Sequence, residues 1–280
     1  MVSGYANAGA ILDDKSYIDR ARSAVDFVWK HLTSAEGKRL VRCAYTDNGN
    51  VAQTERPLPG FADDYAFMIQ ALLDLYESCY DDELIRRALD LQKTLDDCFW
   101  DGDAGGYFLN AAGDDTVLVR MKDDMDGAEP SVNSVAAHNL IRLSLLLDRE
   151  DFKDRAETIF LAFADRLNKF PYALPRMVAA QSRAASAPMQ IVVVGARDRP
   201  RTQALLRVVQ SHFLPFKVLV VLDPNDKDAF LPSRVEQYAK MVADAGTQPT
   251  VYVCQDFACS LPVSDEAELK SLLEKMGRLE

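Results

Sequence analysis

Three times along this chain, a helix-length segment that is apolar on nearly every side is followed by one with a single apolar face. Met1 to Leu12 holds Val2, Tyr5, Ala6, Ala8, Ala10, Ile11 and Leu12, and is expected to be buried on most sides. From Ser16 to Leu32, Tyr17, Ile18, Ala21, Ala24, Val25, Val28, Trp29 and Leu32 recur at helical spacing among Asp19, Arg20, Arg22, Asp26 and Lys30. The pairing returns at Ala62 to Tyr76 followed by Asp82 to Phe99, and again from Val132 to Leu147 followed by Phe152 to Leu167. Starts at Met1, Ala62 and Val132 space the repeats roughly 60 to 70 residues apart. A helix without a polar face must be covered all round, so each inner helix needs its amphipathic partner as a shield. The pattern fits a mainly α fold: part of an α/α toroid, with an ordinary antiparallel helical array as the alternative. Three hairpins do not close a toroid.

Between the helix pairs lie short extended pieces, Arg39 to Tyr45, Gly105 to Leu109 and Val117 to Val119, which read as small hairpins on one rim. After Pro171 the character changes. A helix over Tyr172 to Ser186 leads to the apolar run Gln190 to Gly195, and two further strands, Lys217 to Leu222 and Thr250 to Cys254, alternate with helices at Thr202 to Phe213, Pro232 to Ala243 and Asp265 to Met276. Alternating strands and helices predict a small parallel sheet, because each crossover needs a covering helix. The boundary is placed near 187, giving a partial toroid over 1–186 and a small α/β domain over 187–280.

The chain is 48% hydrophobic with a formal net charge of -11, which argues against nucleic acid or an anionic membrane as partner. Its apolar runs fall short of the roughly 20 residues that span a bilayer. The first ten residues lack the basic region of a signal peptide and read as a helix already under way. Five cysteines, at 43, 79, 98, 254 and 259, are too scattered for a disulfide scaffold and make a reducing, cytoplasmic setting the default.

Acidic clusters introduce two of the apolar helices: Asp63-Asp64 and Asp126 with Glu129. One Asp serves as a cap for free N–H groups, while its neighbour projects about 100° further round the axis, toward the ring interior. Two carboxylates across a pocket mouth are the minimum for glycoside hydrolysis, one protonating the leaving oxygen and one acting as base or nucleophile. The aromatic residues Tyr65, Phe67, Phe99, Trp100, Tyr107 and Phe108 either stack on sugar rings or fill the core. Arg120 and Lys122 are expected to pair with the acidic loop, and His138 is an acid–base candidate or a core histidine. Cys254 and Cys259 are either a redox or disulfide pair or ordinary buried thiols, their four-residue gap differing from that of thioredoxin-like sites. The three histidines offer no assembled metal site, and the chain carries neither the glycine-rich nucleotide motifs nor a serine elbow, so no cofactor is expected.

The ordered strings Gly60-Phe61-Ala62-Asp63-Asp64-Tyr65-Ala66-Phe67, Phe99-Trp100-Asp101 with Gly105-Gly106-Tyr107-Phe108, Arg120 through Asp126-Gly127-Ala128-Glu129-Pro130-Ser131-Val132-Asn133-Ser134, and Val253-Cys254-Gln255-Asp256-Phe257-Ala258-Cys259 resemble the spermatogenesis-associated protein 20 family. The resemblance runs over essentially all 280 residues. It implies a thioredoxin-like domain followed by a six-hairpin, glycosidase-like toroid, of which this chain holds the C-terminal part. The thioredoxin-like domain and the first half of the toroid are then missing partners. On this basis Asp64 and Glu129 are the candidate catalytic acids, Asp63, Tyr65, Asp126 and Asn133 line the same rim, and the expected ligand is a sugar. This fragment alone is expected to be inactive and to expose apolar surface. The competing expectation is a redox-regulatory or scaffold module that serves the thioredoxin-like domain through Cys254 and Cys259.

Overall fold

A computed structural model describes residues 1–34, 39–47, 49–114, 116–186, 189–255 and 258–276, which are mainly helical with small sheets. The expected boundary near 187, and Asp256-Phe257, lie outside the described residues. The periodic segments form the expected helices: α1 (Val2–Leu12), α2 (Lys15–His31), α3 (Ala62–Cys79), α4 (Asp82–Phe99), α5 (Val132–Leu147) and α6 (Glu150–Ala162). They pair as α1 with α2, α3 with α4 and α5 with α6, and α1, α3 and α5 then pack side by side as an inner row. A short α7 (Ala164–Lys169) leads to α8 (Pro175–Ala185), which joins the row against α5.

Each inner helix turns into its outer partner in the same way. Asp13, Tyr80 and Asp148 adopt left-handed conformations with φ of 52°, 61° and 50°, and Asp14, Asp81 and Arg149 follow in extended conformation. A left-handed residue accepts the end of one helix, and the extended residue redirects the chain into the next. Asp14 and Asp81 also cap the following helix through Ser16 N–H at 2.9 Å and Glu83 N–H at 3.2 Å. This recurrence at 13, 80 and 148 is a structural repeat with little identity of sequence.

Burial follows the apolar patterning most closely in α3 and α5, where Ile69, Leu72, Leu73, Leu75, Leu140 and Leu143 are fully buried. Helix α1 departs from expectation: only Val2, Ala6 and Gly9 are buried, while Ile11 and Leu12 are 75% and 63% exposed. It stands at the end of the inner row, packed against α2 and α3.

A hairpin of β1 (Tyr45–Asp47) and β2 (Asn50–Ala52) follows α2. The expected strands at 105–109 and 117–119 are not formed. Gly105 and Gly106 have φ of +76° and +81°, a turn conformation, and Trp100 and Tyr107 share only an isolated bridge.

The second sheet contains β3 (Met189–Val194), β4 (Lys217–Leu222), β5 (Thr250–Gln255) and β6 (Ala258–Cys259) in the order β4-β3-β5-β6. Helices α9 (Pro200–Gln210), α10 (Phe230–Arg234), α11 (Glu236–Ala243) and α12 (Glu266–Met276) complete the chain. Strands β3 and β4 are parallel as expected, but β5 is antiparallel to β3, with Thr250 opposite Val194. The two short helices α10 and α11 replace a single crossover and deliver the chain to the end where β3 leaves the sheet. An apolar six-residue run reads identically in either direction.

Alternation sorts the sheet residues onto two faces. Val192, Val194, Val218, Val220 and Leu222 join the core of the inner helices, while Ile191, Val193, Leu219, Val221 and Val253 pack with α9 and α12 residues Leu205, Val209, Leu269 and Leu273. Edge strand β4 is covered from the helical side: the Tyr76 hydroxyl accepts the Val221 N–H at 3.3 Å and Arg183 donates to the Lys217 carbonyl at 2.8 Å. These contacts satisfy backbone groups that an open edge exposes.

Candidate functional site

The N-terminus of α3 is built around Arg42. Asp64 reaches back so that Oδ2 accepts the Phe61 N–H at 2.8 Å, and Asp63 Oδ1 accepts the Asp64 N–H at 2.9 Å. Phe61 has no side-chain acceptor, so only this half of a capping box exists. Arg42 Nη1 donates to Asp63 Oδ1 at 3.0 Å and to Asp64 Oδ2 at 2.8 Å, its guanidinium lying 4.7 Å from the Phe61 ring centroid. Burial pushes the Asp64 carboxyl up, against the opposing pull of the Phe61 N–H and Arg42. The Tyr65 hydroxyl faces the core and accepts the Leu40 N–H at 3.0 Å.

Just ahead of the second acidic cluster, burial together with the charges of Asp63 and Asp124 raises the Asp123 carboxyl. Asp126 acts as a clamp between two helices. Its Oδ1 accepts the Ser131 N–H at 2.8 Å where α5 begins, and Oδ2 accepts the Arg176 N–H at 2.8 Å in the first turn of α8. One carboxylate therefore meets the positive ends of two helix dipoles. The Glu129 side chain is exposed, and its main-chain carbonyl accepts the Gly127 N–H at 2.9 Å.

Asn133 is fully buried, with Oδ1 accepting the Tyr107 N–H at 2.7 Å and Nδ2 donating to the Tyr107 carbonyl at 2.9 Å. Arg120 and Lys122 do not pair with the acidic loop. Arg120 donates to the carbonyls of Asn110 at 3.0 Å and Cys98 at 3.2 Å, and Lys122 pairs with Asp101 at 2.7 Å. Asp101 belongs to the turn after α4, which folds back under Lys122; this Lys122 hydrogen bond holds the Asp101 carboxyl down to about 2.

Cys254 and Cys259 form a disulfide across the β5–β6 hairpin, with Cα atoms 3.9 Å apart. Their direct pairing in the register brings together thiols whose partnership the spacing left open.

The structure also assembles a group of which only His138 was among the sequence-based candidates. A half-open cavity of about 620 Å³ lies on the faces of α1, α3, α5 and α8 and is bordered by the segment from Gln210 to Lys217. Arg142 of α5 is held between Asp74 at 2.6 Å and Glu77 at 3.0 Å. Arg176 reaches Gln70 Oε1 at 3.3 Å, Arg183 binds the carbonyls of Pro215 at 3.5 Å and Lys217 at 2.8 Å, and Lys217 and His138 complete the polar wall. Burial, with the charges of Arg176, Arg183 and Arg142, pulls His138 down to about 2, leaving a neutral imidazole. A signal was present in the sequence: Arg142 is the one charge in the apolar run of α5, and Arg176 and Arg183, seven residues apart, share one face of α8.

No family model matches the chain. Human spermatogenesis-associated protein 20 is 42% identical over 275 residues, which is 98% of this chain and 35% of that protein. The rat protein of the same name is 40% identical over 277 residues, and an uncharacterized protein of Caenorhabditis elegans is 36% identical over 276. The chain thus spans about a third of the length of these relatives (35–36%). Identity of 40–42% across 98% of its residues makes the chain a homologue of spermatogenesis-associated protein 20 over one stretch of that protein.

Proposed function

We propose that this chain is the C-terminal portion of a six-hairpin, glycosidase-like protein and contributes an arc of an α/α toroid that binds a carbohydrate on its inner-helix face. The observation that carries the reading is the cavity of about 620 Å³ lined from α1, α3, α5 and α8, a volume typical of small-molecule sites. The common inner-to-outer turn at Asp13, Tyr80 and Asp148 supports a repeat of the toroid type. Asp64 and Glu129 are the candidate functional acids at the rim, with Asp63 and Asp126 beside them. Neither Asp64 nor Glu129 lines the cavity, whose α3 wall runs from Gln70 to Ser78 and begins about 9 Å along the helix axis from Asp64. Asp126 links the two levels by holding the amide of Arg176. The hydrogen bonding of Tyr65 and Asn133 gives them supporting parts in this scheme, under the rim.

The test is a binding and turnover screen of neutral and phosphorylated sugars on the 280-residue chain and on a longer protein containing it, each with Asp64→Asn and Glu129→Gln variants. Binding or turnover weakened by either variant is expected. Saccharide binding and turnover unchanged in both variants would remove the rim acids from the function, and a chain that binds no saccharide would remove the carbohydrate reading itself.

The Cys254–Cys259 disulfide favours a second reading, a redox-responsive module serving a thioredoxin-like domain. Incubation with reduced thioredoxin, followed by mass-spectrometric thiol counting, tests it. Failure of thioredoxin to open the bond in the folded chain would eliminate this role.

A further inference from the structure

We infer that the ligand of the inner-helix cavity carries an anionic oxygen group, phosphoryl or carboxylate, which sits among Arg176, Arg183 and Lys217. This rests on the reading of that cavity as the ligand site. The wall carries four basic side chains, Arg142, Arg176, Arg183 and Lys217, against two carboxylates, Asp74 and Glu77. Both carboxylates are committed to Arg142. Among the described residues, Arg176, Arg183 and Lys217 have no carboxylate in ion-pair contact, and the buried Arg183 Nε has no hydrogen-bond partner.

Arg183 is buried without an ion-pair partner among the described residues, a setting that disfavours its charged form. Burial, with the neighbouring Arg142 charge, draws Arg183 down to about 10, and burial also lowers Lys217. The chain as a whole carries a net charge of -11, so this concentration of positive charge runs against its composition. A guanidinium offers paired N–H groups that match the oxygens of a carboxylate or phosphate, and an ammonium adds a point charge. An incoming anion would supply the missing counter-charge. His138 lines the same space. As a neutral ring it suits a hydroxyl group, so the site combines an anion seat with a hydroxyl contact, the chemistry of a sugar phosphate or sugar acid.

Calorimetry on the 280-residue chain, with glucose, glucose 6-phosphate, glucuronate and inorganic phosphate as probes, tests the inference. Arg176→Gln and Lys217→Gln are the variants of choice because both side chains are only partly buried, and circular dichroism checks their fold. At least one anionic probe is expected to bind about tenfold or more tighter than glucose, and to weaken by about tenfold in each folded variant. Glucose 6-phosphate against glucuronate separates a phosphoryl from a carboxylate ligand. Glucose binding as tightly as the anionic probes overturns the inference and leaves the carbohydrate reading standing. Inorganic phosphate binding that depends on Arg176 and Lys217, with no sugar bound, does the reverse. Absence of binding by all four probes, both in this chain and in a longer protein that contains it, removes both.

Discussion

Replacing Asn133 with alanine separates a structural amide from a ligand-binding one. Its side chain closes a two-bond ring with the main chain of Tyr107, at 2.7 Å and 2.9 Å, in a fully buried position. Asn133→Ala leaves the Tyr107 N–H and carbonyl buried and unpaired. Each orphaned group costs about 1–3 kcal/mol, so the expected loss is about 3 kcal/mol, tempered where water enters the space left by the amide. For a chain of 280 residues this lowers the unfolding midpoint by about 5 °C. Urea unfolding followed by circular dichroism should show a lower midpoint with unchanged slope. Gly106 provides an internal control, because a Cβ there would lie 2.9 Å from Asn133 Oδ1 in a backbone with φ of +81°. Gly106→Ala should therefore destabilise strongly alone, yet add less than its full effect in the Asn133→Ala background, where the clash is gone and only the backbone strain remains. A loss below about 1 kcal/mol for Asn133→Ala, or strict additivity of the pair, would refute this account.

Three further outcomes follow from other parts of the fold. The His138 pKa is depressed from 6.5 to about 2, so its contribution to stability is present above pH 6.5 and is lost as the pH falls toward 2. Between pH 7 and pH 5 the loss amounts to about 2 kcal/mol, and pH-dependent urea unfolding of His138→Gln should lack that component; parallel profiles for the two proteins would contradict it. Asp148 is an exposed left-handed residue with φ of 50°, so Asp148→Gly should raise stability by up to about 1 kcal/mol, whereas no gain in the thermal midpoint would argue against strain in that turn. Opening the Cys254–Cys259 bond by double serine substitution should cost about 2 kcal/mol, the value that chain entropy assigns to so short a loop, and an unaltered urea midpoint would count against it.

The homology supplies a relative but no chemistry, and the chemistry of this chain lies in the geometry of its side chains. Asp126 illustrates the difference. Its place before an apolar helix made it a candidate ligand residue, yet the folded chain puts both its oxygens on main-chain N–H groups, one of them fifty residues away in sequence. Asp64 is likewise part cap and part ion pair. At both positions the local logic of a helix start explains the acid, and the long-range partner, Arg42 or Arg176, connects it to the rest of the site.

Local sequence was enough to determine α1 to α6, the three apolar strand cores and the pairing of each inner helix with its neighbour, because helical and strand periodicities are written within one or two turns of chain. It also placed the acidic clusters at the starts of α3 and α5. Only the tertiary structure decided the antiparallel direction of β5, since an apolar strand carries no mark of its orientation. The same holds for the partner of Lys122, the closure of Cys254 on Cys259, and the meeting of Arg142, Arg176, Arg183 and Lys217 around one cavity. Those four cations come from α5, α8 and the start of β4, spread over 75 residues, and no local pattern encodes that they converge. Burial of the apolar faces brings them together, and the unbalanced charge left there is a property of the packed molecule.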